Sequence, residues 1–513
     1  MEPVDRHPHE PDASFDGGDL NCGNGLLLLI RKHIDPLEKG QLLEIRSTEI
    51  SVDEDLPSWC RMTGNELVSW TRRNRQRSFL VSKGPFAARA AASPAATRHA
   101  TVADRVPAPA APGSAPSNLP RPAPAVEIPP LAVMGIGSWP RPRWMVQAIH
   151  EHLEGRLPEQ EFQATADDAV RLAVEAQLRA GADVVTDGEQ RRDSYSSFVG
   201  GLLDNCQLIP LTDLLPLVDD PDHFSEELHS LDVPAAEVRH PAVFGPLGRS
   251  RPLAVHELEF AKTLTAKPVK VALPGPYTLT RTMWMECISD RAYRSREHLA
   301  EDLVRVLREE LHFLLAAGAA LVQFDEPVLS EAVYTGAKNA RSFMCGALSE
   351  KGDAAHELDF AHELIRQVVK GLPPARLAVH ICRGNWSADE AAMLRGDYRP
   401  LLPYLATAPV GTLFLELSTP RAGEMSVLRE LAGRYRIGVG VVNQKHAQVE
   451  TVDEILARAE MALGLFGEKN VLLTPDCGFA TYADNPVSSS QLAEAKLAAI
   501  AAAARRLKNR SAN

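Results

Sequence analysis

The feature that most constrains the fold is a repeated alternation of short aliphatic runs with amphipathic segments in residues 131–507. Eight of the runs are typical of buried strands: LAVMGIGS, DVVTDGE, KVALPGP, ALVQFDEP, LAVHICRG, TLFLELS, IGVGVVN and NVLLTPDCG. Segments such as ADDAVRLAVEAQLRAGA lie between them and are typical of helices. Buried strands that alternate with helices indicate a parallel sheet. Eight strands in one domain of this size favour an α/β fold of the closed (β/α)8 TIM-barrel type over an open doubly wound sheet.

A segment rich in alanine and proline, residues 85–130, separates this barrel from the N-terminal part of the chain. Because it has almost no large apolar side chains to bury, we expect a flexible linker; the alternative is an ordered segment wrapped on a domain. Residues 16–84 predict a small two-layer α/β sandwich, with LPSWCRMTGNELVSW as its second helix. Residues 1–15 are predicted to be a disordered tail, and residues 508–513 a short C-terminal tail.

Charge and composition exclude several classes of protein. The net charge of -12 at pH 7 argues against a general nucleic-acid-binding protein, because contacts to phosphates need basic surface. No uninterrupted apolar run, including Leu26 to Ile30, approaches the roughly 20 residues that a membrane-spanning helix needs. The seven cysteines are an odd number spread along the chain, which suits a reducing compartment better than a disulfide framework. We therefore expect a cytoplasmic protein that binds neither nucleic acid nor membrane.

Side chains that can bind a metal occur where predicted strands end. His380 and Cys382 end one strand and share a face because they are two residues apart. Glu416 and Cys477 end two other strands. Active sites of (β/α)8 barrels lie at the C-terminal ends of the strands, and imidazole, thiolate and carboxylate are all ligands of Zn²⁺. The four residues predict a zinc site assembled by the fold, with a purely structural His-X-Cys pair as the alternative.

Several motifs in the barrel occur together in a characteristic order: GIGSWPR, VVTDGEQRR, LPGPYTL, VQFDEP, HIC, the strand-end Glu416 and PDCG. On these motifs, residues 131–507 resemble the catalytic barrel of cobalamin-independent methionine synthase, in particular its single-barrel relatives. The resemblance implies a zinc-dependent thiol methyltransferase. It assigns the metal to His380, Cys382, Glu416 and Cys477. A thiol such as homocysteine would join the zinc as its thiolate and accept a methyl group, which gives methionine.

The resemblance also implies a binding site for an amino-acid thiol. It assigns Glu189 and Asp325 to the substrate ammonium, and Ile136, Gly137 and Ser138 to the substrate carboxylate. Two acids near an ammonium favour an amino-acid thiol over a sulfonate thiol. From the residues alone, Asp325 could instead be a helix cap, and Glu189 could instead be an ion-pair partner of Arg191 or Arg192.

Two departures from the family bear on the methyl donor and on proton transfer. Thr282 stands where the two-barrel enzymes have a pterin-stacking tryptophan, and Trp284 follows two residues later. Because this tryptophan is replaced, a methylated corrinoid protein is expected as a possible methyl donor beside a methylfolate. In GVGVVNQKH, the chain has Asn443, Lys445 and His446 where the family usually has an acid followed by His or Lys. Lys445 and His446 are candidate proton donors, with a solvated loop as the alternative.

The N-terminal unit resembles a second family, the TusA-type sulfur carriers and sulfurtransferases, on GDLNCGNGLLLLIRKHI, GQLLEIRSTE and DLPSWCRMTGNELVS. That resemblance makes Cys22 the candidate sulfur-carrying thiol, although Cys-Gly-Asn-Gly replaces the family's Cys-Pro-X-Pro motif. Cys60 is expected in the core. An alternative function follows: a sulfur-trafficking protein that exchanges sulfur with a relay partner and delivers it to the barrel. A third possibility is alkylation of a thiol by another electrophile, such as an epoxide.

Overall fold

The computed structural model describes residues 3–20, 25–86, 98–99, 118–213, 238–285, 289, 292–335 and 352–511. Cys22 therefore lies outside the described residues. None of the helices in these ranges combines the length and the apolar character required to span a membrane.

The N-terminal unit consists of a mixed sheet and two helices. Its strands are β1 (Ala13–Asp16), β2 (Leu42–Ser47), β3 (Glu66–Arg73), β4 (Gln76–Ser82) and β5 (Arg98–His99), in the sheet order β3-β4-β2-β1-β5. β1 is parallel to β2 and β5, whereas β4 is antiparallel to β2 and β3. The helices are α1 (Leu26–Ile34) and α2 (Val52–Thr63). The apolar run Leu26 to Ile30 at the start of α1 is buried and contributes to the core of the unit.

The predicted second helix of this unit was too long. The helix begins at Val52 and ends at Thr63, and the strand β3 begins at Glu66. Gly64 follows the helix with a φ of 70°, a left-handed conformation that glycine adopts without the steric cost of a Cβ atom. The apolar residues after Gly64 belong to β3, which forms a hairpin with β4.

The N-terminal tail prediction is also corrected. The backbone N–H of Val4 donates to the carbonyl of Trp70, and β1 already begins at Ala13. His7 lies 2.8 Å from the Ser69 hydroxyl and 2.9 Å from the Ser78 hydroxyl. Residues 3–12 are thus attached to the sheet by contacts that their composition does not reveal, and residues 13–15 form part of β1.

The linker and the C-terminal tail are shorter than predicted. Residues 118–130 lie on the barrel, where the Ala123 N–H donates to the Leu315 carbonyl and Arg436 donates to the Pro129 carbonyl. Residues 118–130 therefore match the alternative of an ordered segment that lies on a domain. Residues 87–97 and 100–117 lie outside the described ranges. At the other terminus, the last helix continues through residue 508 to Ser511.

The barrel is a ring of eight parallel strand positions. Six are continuous strands: β8 (Lys270–Pro274), β9 (Leu321–Asp325), β10 (Leu377–Ile381), β11 (Thr412–Leu415), β12 (Arg436–Val442) and β13 (Val471–Pro475). They pair in the order β13-β12-β11-β10-β9-β8. Three parallel bridges close the ring: Val133 with Leu473, Met134 with Val184, and Val185 with Val269. The α/β fold with a parallel sheet is confirmed.

Helices connect and surround these strands. They are α3 (Arg143–Leu153), α4 (Glu159–Ala180), α5 (Val255–Leu264), α6 (Pro276–Met283), α7 (Arg296–Ala316), α8 (Val328–Tyr334), α9 (Ala354–Val369), α10 (Leu402–Leu405), α11 (Val452–Phe466) and α12 (Ser490–Ser511). The barrel interior contains a separate apolar cluster of Ala132, Met134, Ile136, Val184, Leu321, Ala378, Phe414 and Leu472. Gly438 makes room for the Phe414 ring, because a Cβ atom at this glycine would collide with it. The polar site lies beyond this cluster, where the strands end.

An antiparallel hairpin between the second and third barrel strands contacts the N-terminal unit. It consists of β6 (Asp204–Pro210) and β7 (Arg239–Gly248). Arg31 of α1 forms an ion pair of 2.5 Å with Asp213, which lies just after β6. Gln207 of the hairpin donates to the Asp35 carboxylate at 2.6 Å. Because this hairpin follows the second strand, the N-terminal unit packs on the side of the barrel where the strands end.

Candidate metal centre and substrate pocket

Three metal-binding side chains meet at the C-terminal ends of the barrel strands. His380 lies in β10, Cys382 follows that strand directly, and Cys477 follows β13. A ring nitrogen of His380 and the two Sγ atoms lie within 4.8 Å of one another, and all three side chains are buried. One nitrogen and two sulfur donors at this spacing suit a single Zn²⁺ ion.

The orientation of the His380 ring leaves one nitrogen free for a metal. Nδ1 lies 3.2 Å from the backbone oxygen of Phe414. A carbonyl oxygen only accepts, so Nδ1 carries the proton and Nε2 keeps its lone pair. Nε2 is buried and has no hydrogen-bond partner among the described residues. An unpaired buried nitrogen is costly, and a bound cation would remove that cost.

The two cysteines are coupled. A hydrogen bond between Cys382 and Cys477, together with the neighbouring His380, holds the pKa of the Cys382 thiol well below its usual value. The same contact and burial raise the pKa of Cys477. A cation would stabilise both sulfurs as thiolates, because a coordinating thiol is deprotonated.

The Glu416 carboxylate is bound by other groups. Arg421 donates to one oxygen at 2.5 Å, and the backbone N–H of Arg383 donates to the other at 2.8 Å. Asp476 holds the following backbone, since its Oδ1 accepts from the N–H groups of Leu417 and Ser418. Glu416 is therefore buried close to the cluster of His380 and the two cysteines but is not part of it, and its role as a ligand stays a prediction.

A single cavity brings the candidate metal-binding residues together with the predicted substrate residues. It is lined by Ile136, Gly137, Ser138, Glu189, Asp325, His380, Cys382 and Cys477. It is also lined by Tyr195, Pro327, Asn385, Gly478 and Thr481, which the sequence analysis did not identify. The positions assigned to an ammonium, a carboxylate and a thiolate thus surround one space.

Glu189 has an unusual backbone conformation in this cavity. Its φ is 54°, which is uncommon for a residue with a side chain, and Arg141 donates to its carbonyl oxygen at 2.7 Å. Its Oε2 is buried without a hydrogen-bond partner in the described part of the chain. Burial raises the pKa of Glu189 to about 7. The side chain is therefore held against the cavity with one oxygen available to a donor.

The ion-pair alternative for Glu189 is met only in part. Arg192 approaches Glu189 to 4.0 Å, but its closer ion pair, at 2.6 Å, is with Glu257. Arg191 donates to Gln163 and to Asp167 instead.

The alternative role of Asp325 as a helix cap is not seen: the helix that follows it, α8, has no side-chain cap among the described residues, and the neighbouring acid Glu326 binds the start of α6 instead. The Glu326 carboxylate accepts from the N–H groups of Tyr277 and Thr278 at the start of α6. Asp325 accepts from the side-chain amide of Gln323 at 2.6 Å and lines the cavity.

The predicted proton donors occupy two different environments. Lys445 is buried, and its Nζ donates to the Gly384 carbonyl at 3.0 Å and to Asn385 Oδ1 at 2.8 Å. Burial lowers the pKa of Lys445, while Glu416 and the two metal-site cysteines oppose this effect. His446 has 57% of its side chain exposed and lies 3.2 Å from Glu390, which also accepts from Asn443. The solvated-loop alternative therefore fits His446 but not Lys445.

Asn385 connects Lys445 to the cavity. Its Nδ2 donates to the Gly478 carbonyl at 2.7 Å and to the Thr481 hydroxyl at 2.6 Å. The only sequence signal for this role is that Asn385 lies three residues after Cys382. In the N-terminal unit, Cys60 is buried as expected, and burial raises the pKa of its thiol to about 12.

Comparisons with known proteins point to one family. The family model described as "Cobalamin-independent synthase, Catalytic domain" matches residues 225–501. A methionine synthase of Sulfurisphaera tokodaii is 28% identical over 354 residues, which cover 69% of this chain and 87% of that protein. A methionine synthase of Saccharolobus solfataricus is 26% identical over 360 residues, covering 69% of this chain and 89% of that protein.

Two solved structures share the fold. A B12-independent methionine synthase from Shewanella sp. W3-18-1, in complex with selenomethionine, aligns with a TM-score of 0.56 and 23% identity. It covers 74% of this chain and 98% of that one. A putative vitamin-B12-independent methionine synthase from Listeria monocytogenes aligns with a TM-score of 0.52 and 18% identity, covering 74% of this chain and 99% of that one.

Proposed function

Because this chain belongs to the family of the cobalamin-independent synthase catalytic domain, we propose that it is a zinc-dependent methyltransferase that converts homocysteine to methionine. The observation that carries the proposal is the shared cavity. His380, Cys382 and Cys477 line the same space as Glu189 and Asp325. A metal that activates a thiol and two acids that bind an ammonium are the two requirements of a homocysteine site. The methionine synthases among the relatives support the same reaction.

The metal would be held by His380, Cys382 and Cys477, with Glu416 as the proposed fourth ligand. A bound zinc ion stabilises the thiolate form of an incoming thiol, whose pKa is about 8.5 in water, and so makes the sulfur nucleophilic near neutral pH. The two cysteine thiolates keep the site electron-rich, which favours nucleophilicity of the substrate sulfur.

The protein residues bind and orient the amino acid. Glu189 and Asp325 accept hydrogen bonds from its ammonium. The Ser138 hydroxyl and the backbone at Ile136 and Gly137 also line the cavity and are the proposed site for its carboxylate. Fixing the ammonium and the carboxylate on the α-carbon leaves the side chain to direct its sulfur toward the cysteines and His380, which lowers the entropic part of the barrier.

In the reaction, the thiolate sulfur attacks the methyl carbon of the donor. A sulfur–carbon bond forms while the bond from the methyl carbon to the donor breaks, and that electron pair stays with the donor. With a methylfolate the leaving nitrogen then takes up a proton, whereas with a corrinoid the pair stays on cobalt and no proton is needed. Lys445 is the better placed proton donor, because it is buried beside the metal-site residues whereas His446 is exposed. The donor is a methylfolate or a methylated corrinoid protein.

A product assay tests this function. Zinc-loaded protein is incubated with homocysteine and either methyltetrahydrofolate or methylcobalamin, in parallel, and products are identified by mass. Methionine is expected with at least one donor, and it should be absent when Cys382→Ser protein replaces the native protein. Native, zinc-loaded protein that forms no methionine with either donor would contradict the proposal.

The sulfur-carrier resemblance of the N-terminal unit stays a separate prediction, because it depends on Cys22. Incubation with a sulfur donor, followed by mass analysis of the intact chain and of Cys22→Ser protein, tests it directly. A persulfide on Cys22 would support a role in sulfur transfer to or from a relay protein. An unmodified Cys22 in a protein with full methyltransferase activity would remove that role.

A further inference from the structure

A buried lysine lies inside the barrel beneath the substrate cavity. Lys270 is in β8, its side chain has no exposed surface, and its Nζ lies 4.4 Å from the centre of the Phe414 ring in the apolar cluster of the barrel interior. Burying an amino group among apolar side chains is costly unless it is hydrogen-bonded. Lys270 donates to the Gln323 side-chain oxygen at 2.6 Å and to the Gly135 carbonyl at 2.7 Å.

These contacts determine the direction of a hydrogen-bond chain. Both partners of Lys270 are carbonyl oxygens, so its Nζ donates in both contacts whether the amine is charged or neutral. Gln323 therefore presents its oxygen to Lys270 and its NH₂ group to Asp325, where it donates at 2.6 Å. The flipped amide would place two donors together at Lys270 and two acceptors together at Asp325.

The chain reaches the proposed ammonium site. Since Gln323 donates to one oxygen of Asp325, that carboxylate is held as an acceptor, which is the state that an ammonium requires. Burial lowers the pKa of Lys270 to about 7, and the two neighbouring acids, Asp325 and Glu189, oppose this effect by favouring its charged form. The second contact of Lys270, to Gly135, lies directly before the segment proposed to bind the substrate carboxylate.

We propose that Lys270 is a positioning residue for amino-acid recognition: through Gln323 it holds Asp325 as an acceptor for the substrate ammonium, and so it selects thiols that carry an α-amino group. The inference rests on the proposed homocysteine site and adds to it a determinant of substrate class. Lys270 does not contact the substrate or the metal-binding residues in this arrangement. Its effect is on which thiol binds.

Binding measurements on zinc-loaded protein test the inference. Calorimetry compares L-homocysteine with 4-mercaptobutanoate, which has the same thiol and carboxylate but no ammonium. The variants are Lys270→Met, Gln323→Leu, Asp325→Asn and the double variant Lys270→Met with Asp325→Asn. Lys270→Met and Gln323→Leu should each weaken homocysteine binding about ten- to a hundredfold, the range for a lost hydrogen bond to a charged group. Binding of 4-mercaptobutanoate should change by less than about twofold.

The double variant separates positioning from a general structural role. If Lys270 acts through Asp325, adding Lys270→Met to Asp325→Asn should cost no more than about a further twofold in homocysteine affinity. Equal losses for both thiols, or fully additive losses, would overturn the inference while leaving the proposed function intact. Native protein that binds neither thiol would contradict both the inference and the proposed function.

Zinc content by mass spectrometry and the thermal unfolding midpoint are recorded for each variant. If Lys270→Met protein does not fold, the Gln323→Leu variant provides the test instead. It interrupts the same hydrogen-bond chain and leaves Lys270 bound to Gly135. A Gln323→Leu protein with normal zinc content and undiminished preference for homocysteine would then refute the positioning role.

Discussion

Gly137 lies directly against the carboxylate of Glu189: a Cβ atom at residue 137 would occupy the position of Glu189 Oε1 and would come within 3.3 Å of Ala272 Cβ. A glycine is thus needed at residue 137 because the Glu189 carboxylate leaves no room for a side chain, and not because of the backbone angles of residue 137. Glu189 itself has a φ of 54°, so the loop brings its carboxylate to this place at some conformational cost. The two residues together shape the part of the cavity proposed to bind the amino acid.

Gly137→Ala should therefore affect binding more than stability. The methyl group displaces the end of a side chain, which can move, so we expect a small change in the thermal unfolding midpoint. Displacing Glu189 should raise the KM for homocysteine about ten- to a hundredfold, as expected for a lost hydrogen bond between charged groups. Steady-state kinetics and thermal unfolding measure the two effects. Gly135→Ala, where a Cβ atom meets nothing within 4 Å, is the matched control.

Replacing a proposed metal ligand should remove the metal selectively. Cys477→Ser deletes one of two thiolates, and we expect zinc affinity to fall by more than the roughly 10- to 100-fold typical of removing an outer hydrogen-bond partner of a ligand. Competition with a chromophoric chelator measures the affinity. Cys60→Ser, which changes a buried thiol in the N-terminal unit, should retain the native value. Equal zinc affinities of native and Cys477→Ser proteins would exclude this residue from the site.

The sequence was most informative where strands end. His380, Cys382 and Cys477 could be grouped from the sequence because the C-terminal ends of parallel strands meet on one side of a barrel. Glu189 and Asp325 could be assigned to the same cavity for the same reason and by resemblance.

Other positions depend on contacts between distant segments. Lys270 and Arg421 belong to ordinary-looking segments, and only the folded chain shows that they contact Gln323 and Glu416. Asn385 and Thr481 lie in loops whose paths are set by packing. By contrast, the end of the second helix could have been predicted, since glycine at position 64 is a common helix terminator. The apolar residues beyond Gly64 made the helix look longer than it is.

The ion pair between Arg421 and Glu416 should influence both stability and metal binding. Both side chains are almost completely buried, with 6% and 3% exposed. Arg421→Met would remove the cation that is paired with this buried carboxylate and leave only the Arg383 N–H and the nearby charges of Arg383 and Lys445, so metal-free protein should lose up to about 3–5 kcal/mol in the free energy of unfolding. If Glu416 can reach the metal, zinc should restore more stability to this variant than it adds to native protein. Chemical denaturation with and without zinc measures this difference.

A zinc-induced gain that is the same in both proteins would contradict a ligand role for Glu416. The double variant Arg421→Met with Glu416→Gln is the control, because it removes the unpaired charge. It should recover part of the stability of the metal-free state but lose the additional response to zinc. X-ray absorption spectra of the zinc-loaded proteins would show whether the number of oxygen or nitrogen ligands differs.

Homocysteine binding should depend on pH through Glu189. Burial raises the pKa of this acid to about 7, so below pH 7 it is increasingly protonated and no longer offers a negative charge to an ammonium. Affinity should fall by up to about tenfold per pH unit below that value and level off above it. The homocysteine affinity is divided by the affinity for 4-mercaptobutanoate at each pH. Titration of the thiol and of the proposed metal-binding residues affects both affinities and therefore cancels in this ratio. The dependence of this ratio on pH should become weaker in Glu189→Gln protein.

The contact between the N-terminal unit and the barrel rests on opposite charges. Arg31 and Asp213 are 17% and 8% exposed, so their pairing should contribute more than the ~0–1 kcal/mol of a surface pair and less than the 3–5 kcal/mol lost when a fully buried pair is broken. Arg31→Glu places two carboxylates together and should release α1 from the hairpin, which hydrogen exchange of residues 26–34 would detect. Arg31→Glu with Asp213→Arg should restore protection, whereas Arg61→Glu, on α2, should leave it unchanged. Full protection in the Arg31→Glu protein would mean that apolar packing, and not this pair, holds the two parts together.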